Sequence, residues 1–382
     1  MNLDENVNIS KRPNASAFHQ QKLKGWKPII ATKNMYLPFF AIGIIFMVVG
    51  SVLTYYSYQI IEVNIDYTNC LNSDGQQCSD VLLKNNYTYR YQSCQCKINM
   101  TIPTDIKSPV FSYYGLTNFF QNHRRYVKSR DDKQLKGLYV PLLNSNCQPY
   151  QYTNSSNSIG YAPCGIIANS LFNDTFQLDY LQNDTLITVP WTSTGIAWPS
   201  ETNVRYGKPT SWANTMKPPN WPISALDRSP DAYSGDEDLL VWMRTAALPN
   251  FKKMHRKFIH NFDPFLNGIP RGFYVLSINY SYPVTPFQGV KTFSLSTTNI
   301  LGGKNTSLGI VFLVVGLSYF ALAVCFVFIN EFDSRQQSEE AWYIANQNRI
   351  SGCPNETFCN VDNNEEIIGF SDEFYGSVNR TV

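Results

Sequence analysis

The chain has 382 residues and a formal net charge of +2, with 43% apolar and 14% aromatic residues. This length could hold two or three soluble domains of average size. The nearly balanced charge gives no reason to expect a nucleic-acid partner. The apolar residues, however, are concentrated in a way that places part of the chain outside water.

Two long uncharged stretches predict two membrane-spanning helices. Residues 37–61 and 308–329 contain no Lys, Arg, Asp or Glu, and each could cross a hydrocarbon core of about 30 Å as a helix. The first stretch starts too far along the chain, and is too long, to be the apolar region of a cleaved signal peptide. We therefore predict transmembrane helices at residues 36–61 and 307–330.

The charges around the first span predict the topology. Basic residues crowd its N-terminal approach, whereas Glu62 and Asp66 follow it, as the positive-inside rule expects of a cytosolic N-terminus. With two spans both termini are cytosolic, so that residues 1–35 form a cytosolic segment and residues 62–306 a lumenal or extracellular domain. Residues 331–382 form an acidic cytosolic tail, whose polar composition predicts disorder.

Cysteine usage agrees with an oxidising compartment for residues 62–306. Six of the nine cysteines lie there, namely Cys70, Cys78, Cys94, Cys96, Cys147 and Cys164, and an even number favours disulfide bonds. Cys94 and Cys96 would point to the same face of a strand, so each needs a separate partner. Spacing alone leaves the pairing open.

The same region is rich in acceptor sequences for N-linked sugar. The N-x-[ST] pattern places a predicted glycosylation site at Asn86, Asn99, Asn154, Asn173, Asn183 and Asn279. A further pattern begins at Asn305, which lies almost against the second span. We expect Asn305 to stay unmodified because a lumenal enzyme has little room to reach it.

Short aromatic and β-branched runs broken by turn residues predict a mainly β, β-sandwich-like and disulfide-bonded domain with a few helices. Residues 139–143, 186–189 and 274–280 are the clearest predicted strands. Residues 118–130 and 238–255 are predicted to be helical, the latter because Leu239, Trp242, Met243 and Ala246 follow helical spacing.

No catalytic motif is found in the sequence. It contains no G-x-S-x-G, no H-E-x-x-H and no phosphate-binding loop of the Walker type. His123, His255 and His260 are not spaced to hold a metal together on one helix face. We therefore predict a protein that is not an enzyme and has no cofactor, no metal site and no catalytic residues.

Small residues recur at intervals of seven in both spans. They are Gly43, Gly50 and Ser57 in the first span and Gly309, Gly316 and Ala323 in the second. Seven residues nearly complete two helical turns, so each stripe stays on one face and allows close approach of another helix. We predict that the spans pack together or line a helix of a partner.

Two other functional classes share some of these features. A two-span ligand-gated channel subunit also has cytosolic tails and a cysteine-rich outer domain, but the spans offer few polar residues to line a pore and no ionisable residue. A lumenal carbohydrate-processing enzyme would need a pair of carboxylates that meet in space. Turnover of a glycoside by the isolated loop would identify that enzyme.

Several strings resemble one family over nearly the whole chain. They are Lys11-Arg12-Pro13 with Ala17-Phe18 and Gln20-Gln21, residues 118–135 (NFFQNHRRYVKSRDDKQL), 163–175 (PCGIIANSLFNDT) and 242–251 (WMRTAALPNF), and Gly302-Gly303-Lys304-Asn305. They look like the ligand-effect modulator family, also called the cell cycle control protein family. Its members are accessory (β) subunits of type IV P-type ATPases that flip phospholipids between membrane leaflets.

This resemblance implies a heterodimer with an ATPase, and the ATPase subunit hydrolyses the ATP. The complex would lie in the endoplasmic reticulum, the Golgi and endosomes, or the plasma membrane. The accessory subunit would support folding of the ATPase, its exit from the endoplasmic reticulum and its phospholipid transport. The resemblance also implies disulfide bonds Cys70–Cys96, Cys78–Cys94 and Cys147–Cys164 and sugar on Asn173 and Asn183. It implies cytosolic contacts to the ATPase from Lys11, Arg12, Pro13, Phe18, Gln20, Gln21 and Leu23, with further contacts from the lumenal domain.

Overall fold

A computed structural model describes residues 16–23, 32–84, 93–153, 156–299 and 301–350 of the chain. The chain divides into two compact units, one made of residues 1–48 and 312–382 and the other of residues 49–311. The predicted spans lie in the two longest helices, α1 (Thr32–Tyr58) and the last helix, Thr306–Ile350. Both are long and apolar enough to cross a membrane.

The C-terminal helix is longer than its apolar part requires. Its 45 residues extend roughly 67 Å at about 1.5 Å per residue, about twice the hydrocarbon thickness of a bilayer. The disorder predicted for residues 331–382 is therefore wrong for residues 331–350. This part is rich in Glu, Gln, Arg and Ala, and elongating an existing helix avoids the cost of nucleation.

The larger unit contains two main antiparallel sheets. The five-stranded sheet has the order β1-β14-β4-β11-β9, and the four-stranded sheet has the order β2-β13-β7-β8. The strands of the first are β1 (Glu62–Asp66), β4 (Val110–Leu116), β9 (Trp191–Thr192), β11 (Phe251–Phe258) and β14 (Lys291–Thr297). Those of the second are β2 (Cys94–Ile102), β7 (Thr175–Gln182), β8 (Thr185–Thr188) and β13 (Gly272–Tyr280).

Smaller elements complete this unit. Five short strands form two further sheets: β3 (Ile106–Lys107), β5 (Tyr152–Thr153), β6 (Ser156–Tyr161), β10 (Thr215–Met216) and β12 (Gly268–Ile269). The short helices are α2 (Cys78–Lys84), α3 (Arg124–Lys128), α4 (Asp132–Leu135), α5 (Ile166–Asn169), α6 (Ala225–Arg228) and α7 (Glu237–Met243). The helix Thr306–Ile350 is α8.

The core is aromatic and lies between the two main sheets. Along β13 every second side chain is buried, from Tyr274 to Tyr280, so one face of the four-stranded sheet packs inward. Phe176 of β7 meets Phe293 of β14 with ring centroids 5.0 Å apart. The predicted mainly β domain with a few helices is confirmed.

Three local predictions are wrong. Residues 139–143 form no strand, because Pro141 interrupts a run whose Tyr139 and Leu142 are exposed. The helix predicted at 118–130 is limited to α3. The helix predicted at 238–255 ends at Met243, and β11 begins after Pro249, which cannot donate a helical hydrogen bond.

Candidate partner-binding and glycosylation sites

Three of the strings that carry the family resemblance meet in space. In string 118–135, Gln121 accepts a hydrogen bond at its Oε1 from the backbone N of Ala246, which lies in string 242–251 (2.9 Å). Ser129 accepts one at its Oγ from the backbone N of Ile166, in string 163–175 (2.9 Å). The strings therefore form one hydrogen-bonded cluster that holds their loops in place.

Helix α5 lies at the centre of this cluster, and two buried indoles bind it. Trp242 donates from Nε1 to the carbonyl of Ile167 at 2.9 Å, and Trp221 donates from Nε1 to the carbonyl of Ala168 at 2.7 Å. The carbonyl of Ile167 also accepts from Ser170 Oγ and that of Ala168 from the backbone N of Leu171, so the indoles add second donors that tie α5 to the elements carrying Trp242 and Trp221.

Lys253 satisfies the backbone carbonyls at the end of a second helix, α7. Its buried ammonium donates to the carbonyls of Val241, Trp242 and Arg244 at 3.0, 2.7 and 2.6 Å, at the C-terminus of α7. A cation is favoured there by the helix dipole. Burial, with the nearby Arg244 guanidinium, lowers the pKa of Lys253 to about 7.

A buried ion pair joins the two main sheets, and no local sequence pattern predicts it. Lys291, the first residue of β14, donates from Nζ to Asp174 Oδ2 at 2.6 Å, and neither side chain is exposed. Burial lowers the pKa of Lys291 to about 8, although the Asp174 carboxylate opposes part of that shift. Asp174 also accepts from Tyr67 and from the backbone N of Ser281 and Tyr282.

A polar cavity of about 320 Å³ lies beside Asp174. Its lining includes Asn173 and Asn279, whose Oδ1 atoms are buried and have no hydrogen-bond partner among the described residues. Arg228 and Arg256 also line it, but each guanidinium is already paired, with Asp236 and Asp238 respectively. The cavity therefore offers amide groups rather than uncompensated charge.

The histidine of β11 is a packing residue. His255 is buried against the rings of Phe176 and Trp191, with centroids 5.1 and 5.9 Å away. Burial lowers the pKa of His255 well below its usual range, so the imidazole is neutral near pH 7. It contacts aromatic carbon rather than a reactive partner.

The six cysteines of the domain are paired in the structure. The bonds are Cys70–Cys96, Cys78–Cys94 and Cys147–Cys164, the pairs that the resemblance implies. The sulfur atoms of Cys70, Cys78 and Cys96 lie within ligand distance of one another. As disulfide sulfurs they are not thiolates, so they do not form a metal site.

Of the predicted glycosylation sites that the structure describes, two lie in the four-stranded sheet and two lie next to its strand β7. Asn99 is exposed in β2, Asn279 is in β13, Asn183 is in the turn between β7 and β8, and Asn173 comes two residues before β7. Asn86 and Asn154 lie outside the described residues. Asn305 is elsewhere: its Oδ1 accepts from the backbone N of Leu308 at 3.1 Å, in the first turn of α8.

All six small residues of the two stripes are buried, although the other residues of the spans are mostly exposed. In the smaller unit, a Cβ at Gly316 would lie 2.8 Å from the backbone N of Met47, and one at Gly43 would lie 3.0 Å from the backbone N of Phe320. In the larger unit, a Cβ at Gly309 would lie 2.8 Å from the backbone N of Thr54, and Ser57 accepts from the backbone N of Asn305. Within each unit the two helices therefore pack against each other at glycine.

The N-terminal segment forms a single hydrogen-bonded turn at residues 16–22. Phe18 and Leu23 are 71% and 66% exposed there, and Gln21 has a left-handed φ of 55°. Gln20 donates from its backbone N to the carbonyl of Ser16. The other predicted contact residues, Lys11, Arg12 and Pro13, lie outside the described residues.

Comparison with known proteins gives a consistent result. Residues 53–336 match the LEM3 (ligand-effect modulator 3) family / CDC50 family. The chain is 41% identical to cell cycle control protein 50A of Mus musculus, over 84% of this chain and 90% of that protein. It is 37% identical to cell cycle control protein 50B of Homo sapiens, over 86% and 97%. It is 31% identical to the phospholipid-transporting ATPase accessory subunit CRF1 of Saccharomyces cerevisiae, over 88% and 90%.

Proposed function

This chain belongs to the LEM3 (ligand-effect modulator 3) or CDC50 family, and we propose that it is the non-catalytic accessory subunit of a type IV P-type ATPase that moves phospholipids. The observation that carries the proposal is the match over residues 53–336, which extends from within the first span past the end of the second. The yeast relative, which aligns with 88% of this chain, is named as such a subunit.

The proposed topology has both termini in the cytosol and residues 62–306 in the lumen or outside the cell. The charge asymmetry around the first span supports it. So do the three disulfide bonds of that domain, which persist in an oxidising compartment. The complex would act in the endoplasmic reticulum, the Golgi and endosomes, or the plasma membrane.

The proposed division of labour leaves ATP hydrolysis and lipid movement to the ATPase. The two apolar stretches contain no Asp, Glu, Lys, Arg or His to relay a proton or bind a headgroup. The buried charges of the larger unit also serve the fold, since Lys253 ends a helix and Lys291 joins two sheets. The chain would thus act as a scaffold that supports the folding of the ATPase and its exit from the endoplasmic reticulum.

Two parts of the chain would hold the ATPase. The turn at residues 16–22 presents Phe18, and Leu23 follows it directly, so that two exposed apolar side chains would face the ATPase on the cytosolic side. The lumenal domain presents the loops of the hydrogen-bonded cluster on the other side. Contacts on both sides of the membrane would make folding of the ATPase depend on this subunit.

Affinity purification tests the proposal. The protein is tagged in its own cells, membranes are solubilised in mild detergent, and proteins that co-purify in stoichiometric amounts are identified by mass. We expect one P-type ATPase per copy of this chain, and its identity would indicate which lipid is moved. A homotrimer without a large partner would instead support the channel.

A further inference from the structure

A cavity of about 160 Å³ opens beside the three-stranded sheet β10-β6-β5 in the larger unit. Each strand of that sheet contributes to its lining, through Thr215, Gly160 and Tyr152. Residues 138–143 and 209–214 supply most of the rest. Because a cavity of about 150 Å³ is large enough for benzene, this one has room for a single six-membered ring.

Four aromatic side chains line the cavity, namely Tyr139, Tyr152, Trp212 and Tyr233. Tyr139 is 75% exposed, whereas Tyr233 is fully buried. Trp212 is half-buried and packs edge-to-face against Tyr233, with ring centroids 5.9 Å apart. The faces of aromatic rings carry partial negative charge, so they attract the C–H groups of a saturated ring as well as the edge of another aromatic ring.

The polar part of the lining is neutral. No charged side chain is found among the described residues that line the cavity, and its polar side chains are hydroxyls and amides. A phosphate or carboxylate bound here would lie against these groups without a counter-charge, which is costly. The lining therefore selects a neutral ligand.

One hydroxyl of the lining has no partner. Tyr233 makes no hydrogen bond from its Oη to any residue that the structure describes, although its side chain is fully buried. Burial raises the pKa of Tyr233, so the hydroxyl keeps its proton near neutral pH. It can both donate and accept, and leaving it unpaired costs free energy. A ligand hydroxyl in the cavity would supply the missing partner.

Other hydroxyls of the lining have hydrogen-bonding capacity to spare. Tyr152 Oη accepts from the backbone N of Leu143 at 3.1 Å and can still donate its own proton. Ser211 Oγ accepts from the backbone N of Ala213 at 3.2 Å and can do the same. Several hydroxyls beside aromatic rings suit a saturated ring that itself carries several hydroxyls.

Two other ligands of similar size fit this lining less well. A quaternary ammonium such as choline binds aromatic cages, but it can neither donate nor accept a hydrogen bond and would leave Tyr233 unpaired. An aromatic side chain of a partner protein offers at most one hydroxyl. A pyranose ring offers C–H groups to the aromatic faces and several hydroxyls to the polar groups.

We propose that this cavity binds one neutral pyranose residue, which makes the lumenal domain a sugar-binding domain. All the contacts come from this chain, so the inference does not depend on the ATPase. Sugar chains are abundant in the lumen and outside the cell, where the proposed topology places residues 62–306.

Saturation-transfer NMR with methyl glycosides tests the proposal. The full chain is purified in a polyoxyethylene detergent, because sugar-based and choline-based detergents would compete for the cavity. The methyl glycosides of mannose, glucose, galactose and N-acetylglucosamine are added one at a time, and choline and N-acetyltyrosinamide are tested as the alternative ligands. We expect saturation to reach at least one glycoside. Saturation of none of them, or only of choline or the tyrosine derivative, would overturn the proposal.

Three variants show whether the sugar lies in this cavity. Tyr233→Phe removes only the unpartnered hydroxyl, and Tyr139→Ala removes the exposed ring. Leu142→Ala is the matched control, because Leu142 is 76% exposed in the same loop but does not line the cavity. We expect the first two variants to weaken glycoside binding by about tenfold each and the control to bind as wild type does. Unchanged binding in both Tyr233→Phe and Tyr139→Ala would place the sugar elsewhere and overturn the proposal.

Thermal unfolding separates lost binding from lost folding. Removing a buried hydroxyl that lacks a partner relieves its desolvation cost, so Tyr233→Phe should unfold at the same temperature as wild type or higher. A lower unfolding temperature would show that the hydroxyl is paired within the fold, which contradicts its assignment to the ligand. Since no ATPase is present in these measurements, their failure leaves the proposed function untouched.

Discussion

Asp174 is a carboxylate without exposure to solvent that is surrounded by donors. It accepts from Lys291, Tyr67 and two backbone amides, and these groups come from three separate parts of the chain. Burying a charge is costly unless it is paired and hydrogen-bonded. The pair therefore specifies how the start of β14 meets the start of β7, and both partners must be present.

Replacing Asp174 tests this role. Asp174→Asn leaves the Lys291 ammonium buried without a counter-charge, and breaking a buried pair in this way costs about 3–5 kcal/mol. It keeps the Asn-x-Thr acceptor at Asn173. Thr175→Ala is the matched control, because it removes the acceptor at an exposed position and leaves the ion pair intact.

Thermal unfolding of the purified variants decides between the two effects. We expect Asp174→Asn to lose far more stability than Thr175→Ala. The reverse order would show that the sugar at Asn173, rather than the ion pair, stabilises this corner of the domain.

Lys253→Met removes the donor that ends helix α7 and leaves three carbonyls without their partner. We expect a loss of about 3 kcal/mol in the free energy of unfolding at pH 7, since each unsatisfied buried acceptor costs roughly 1–3 kcal/mol. Loss of less than a third of that amount would mean that water or a rearranged side chain replaces the ammonium.

The lowered pKa of Lys253 predicts that the free energy of unfolding depends on pH. The pKa of Lys253 is about 7 in the folded protein against an ordinary value of 10.5, so above pH 7 the unfolded chain binds more protons than the folded one. The stability of the wild type therefore rises with pH in this window, relative to Lys253→Met. Denaturant unfolding at pH 7 and pH 9 measures the change, and a difference that stays constant or shrinks would contradict it.

A single residue's role can be predicted from the sequence only where its chemistry is local. An acceptor sequence is complete within three residues, so Asn99, Asn173, Asn183 and Asn279 could be named without a structure. Lys291 is a lysine among strand residues, and nothing in its neighbours shows that a carboxylate 117 positions away lies beside it. Its burial is a property of the fold and not of the local sequence.

Elements with a strong one-dimensional signal were predictable. The spans at 36–61 and 307–330 correspond to the apolar parts of α1 and α8, because an uncharged stretch of that length has few alternatives. The end of the helix expected at 238–255 is strand instead, because alternation in 251–258 competes with the helical spacing before it. Composition alone could not separate a continuing helix from a disordered tail at 331–350.

The stripe of small residues predicts that α1 and α8 tolerate no added bulk where they pack together. Gly316→Leu places a side chain where even a Cβ lies 2.8 Å from the backbone of Met47, and such overpacking costs about 1–3 kcal/mol. Ala321→Leu is the control, because Ala321 is exposed on the same helix. We expect α1 and α8 to separate in the first variant and to stay packed in the second.

Oxidative cross-linking measures that separation. The rings of Phe46 and Phe312 stack with centroids 5.4 Å apart, so Phe46→Cys with Phe312→Cys should form a bond in membranes. We expect Gly316→Leu to reduce the cross-link and Ala321→Leu to leave it unchanged. Equal cross-linking in both would show that the stripe is incidental to packing.

Hydropathy along the chain predicted two helices that could span a membrane, and the structure has them, whereas the order of the strands in the sheets could not be predicted. The direction of the spans stays a prediction that rests on the charges around the first span. The five-stranded sheet pairs β1 with β14 and β4 with β11, strands separated by most of the domain. Nothing local encodes such pairings, so the meeting of the family strings around α5 was visible only in the fold.

The whole molecule offers two exposed pairs of the same chemistry with opposite expected roles. Phe18 and Leu23 are 71% and 66% exposed in the N-terminal turn, whereas Phe273 and Leu186 are 64% and 56% exposed on the outer face of the four-stranded sheet. Replacing either pair by Ala removes the same two side chains, and neither pair is packed in a core. The two double variants are therefore expected to fold equally well.

We expect Phe18→Ala with Leu23→Ala to weaken ATPase binding, because buried apolar anchors at an interface contribute about 2 kcal/mol or more each. That loss corresponds to roughly a thousandfold in affinity for the pair at about 1.4 kcal/mol per factor of ten. Phe273→Ala with Leu186→Ala should bind as wild type does, because both side chains lie outside the hydrogen-bonded cluster through which the lumenal domain is proposed to contact the ATPase. Titration of each purified double variant against the ATPase in detergent measures both affinities. If only Phe273→Ala with Leu186→Ala weakened binding, the partner would contact the sheet, and the cytosolic turn would have no role in binding.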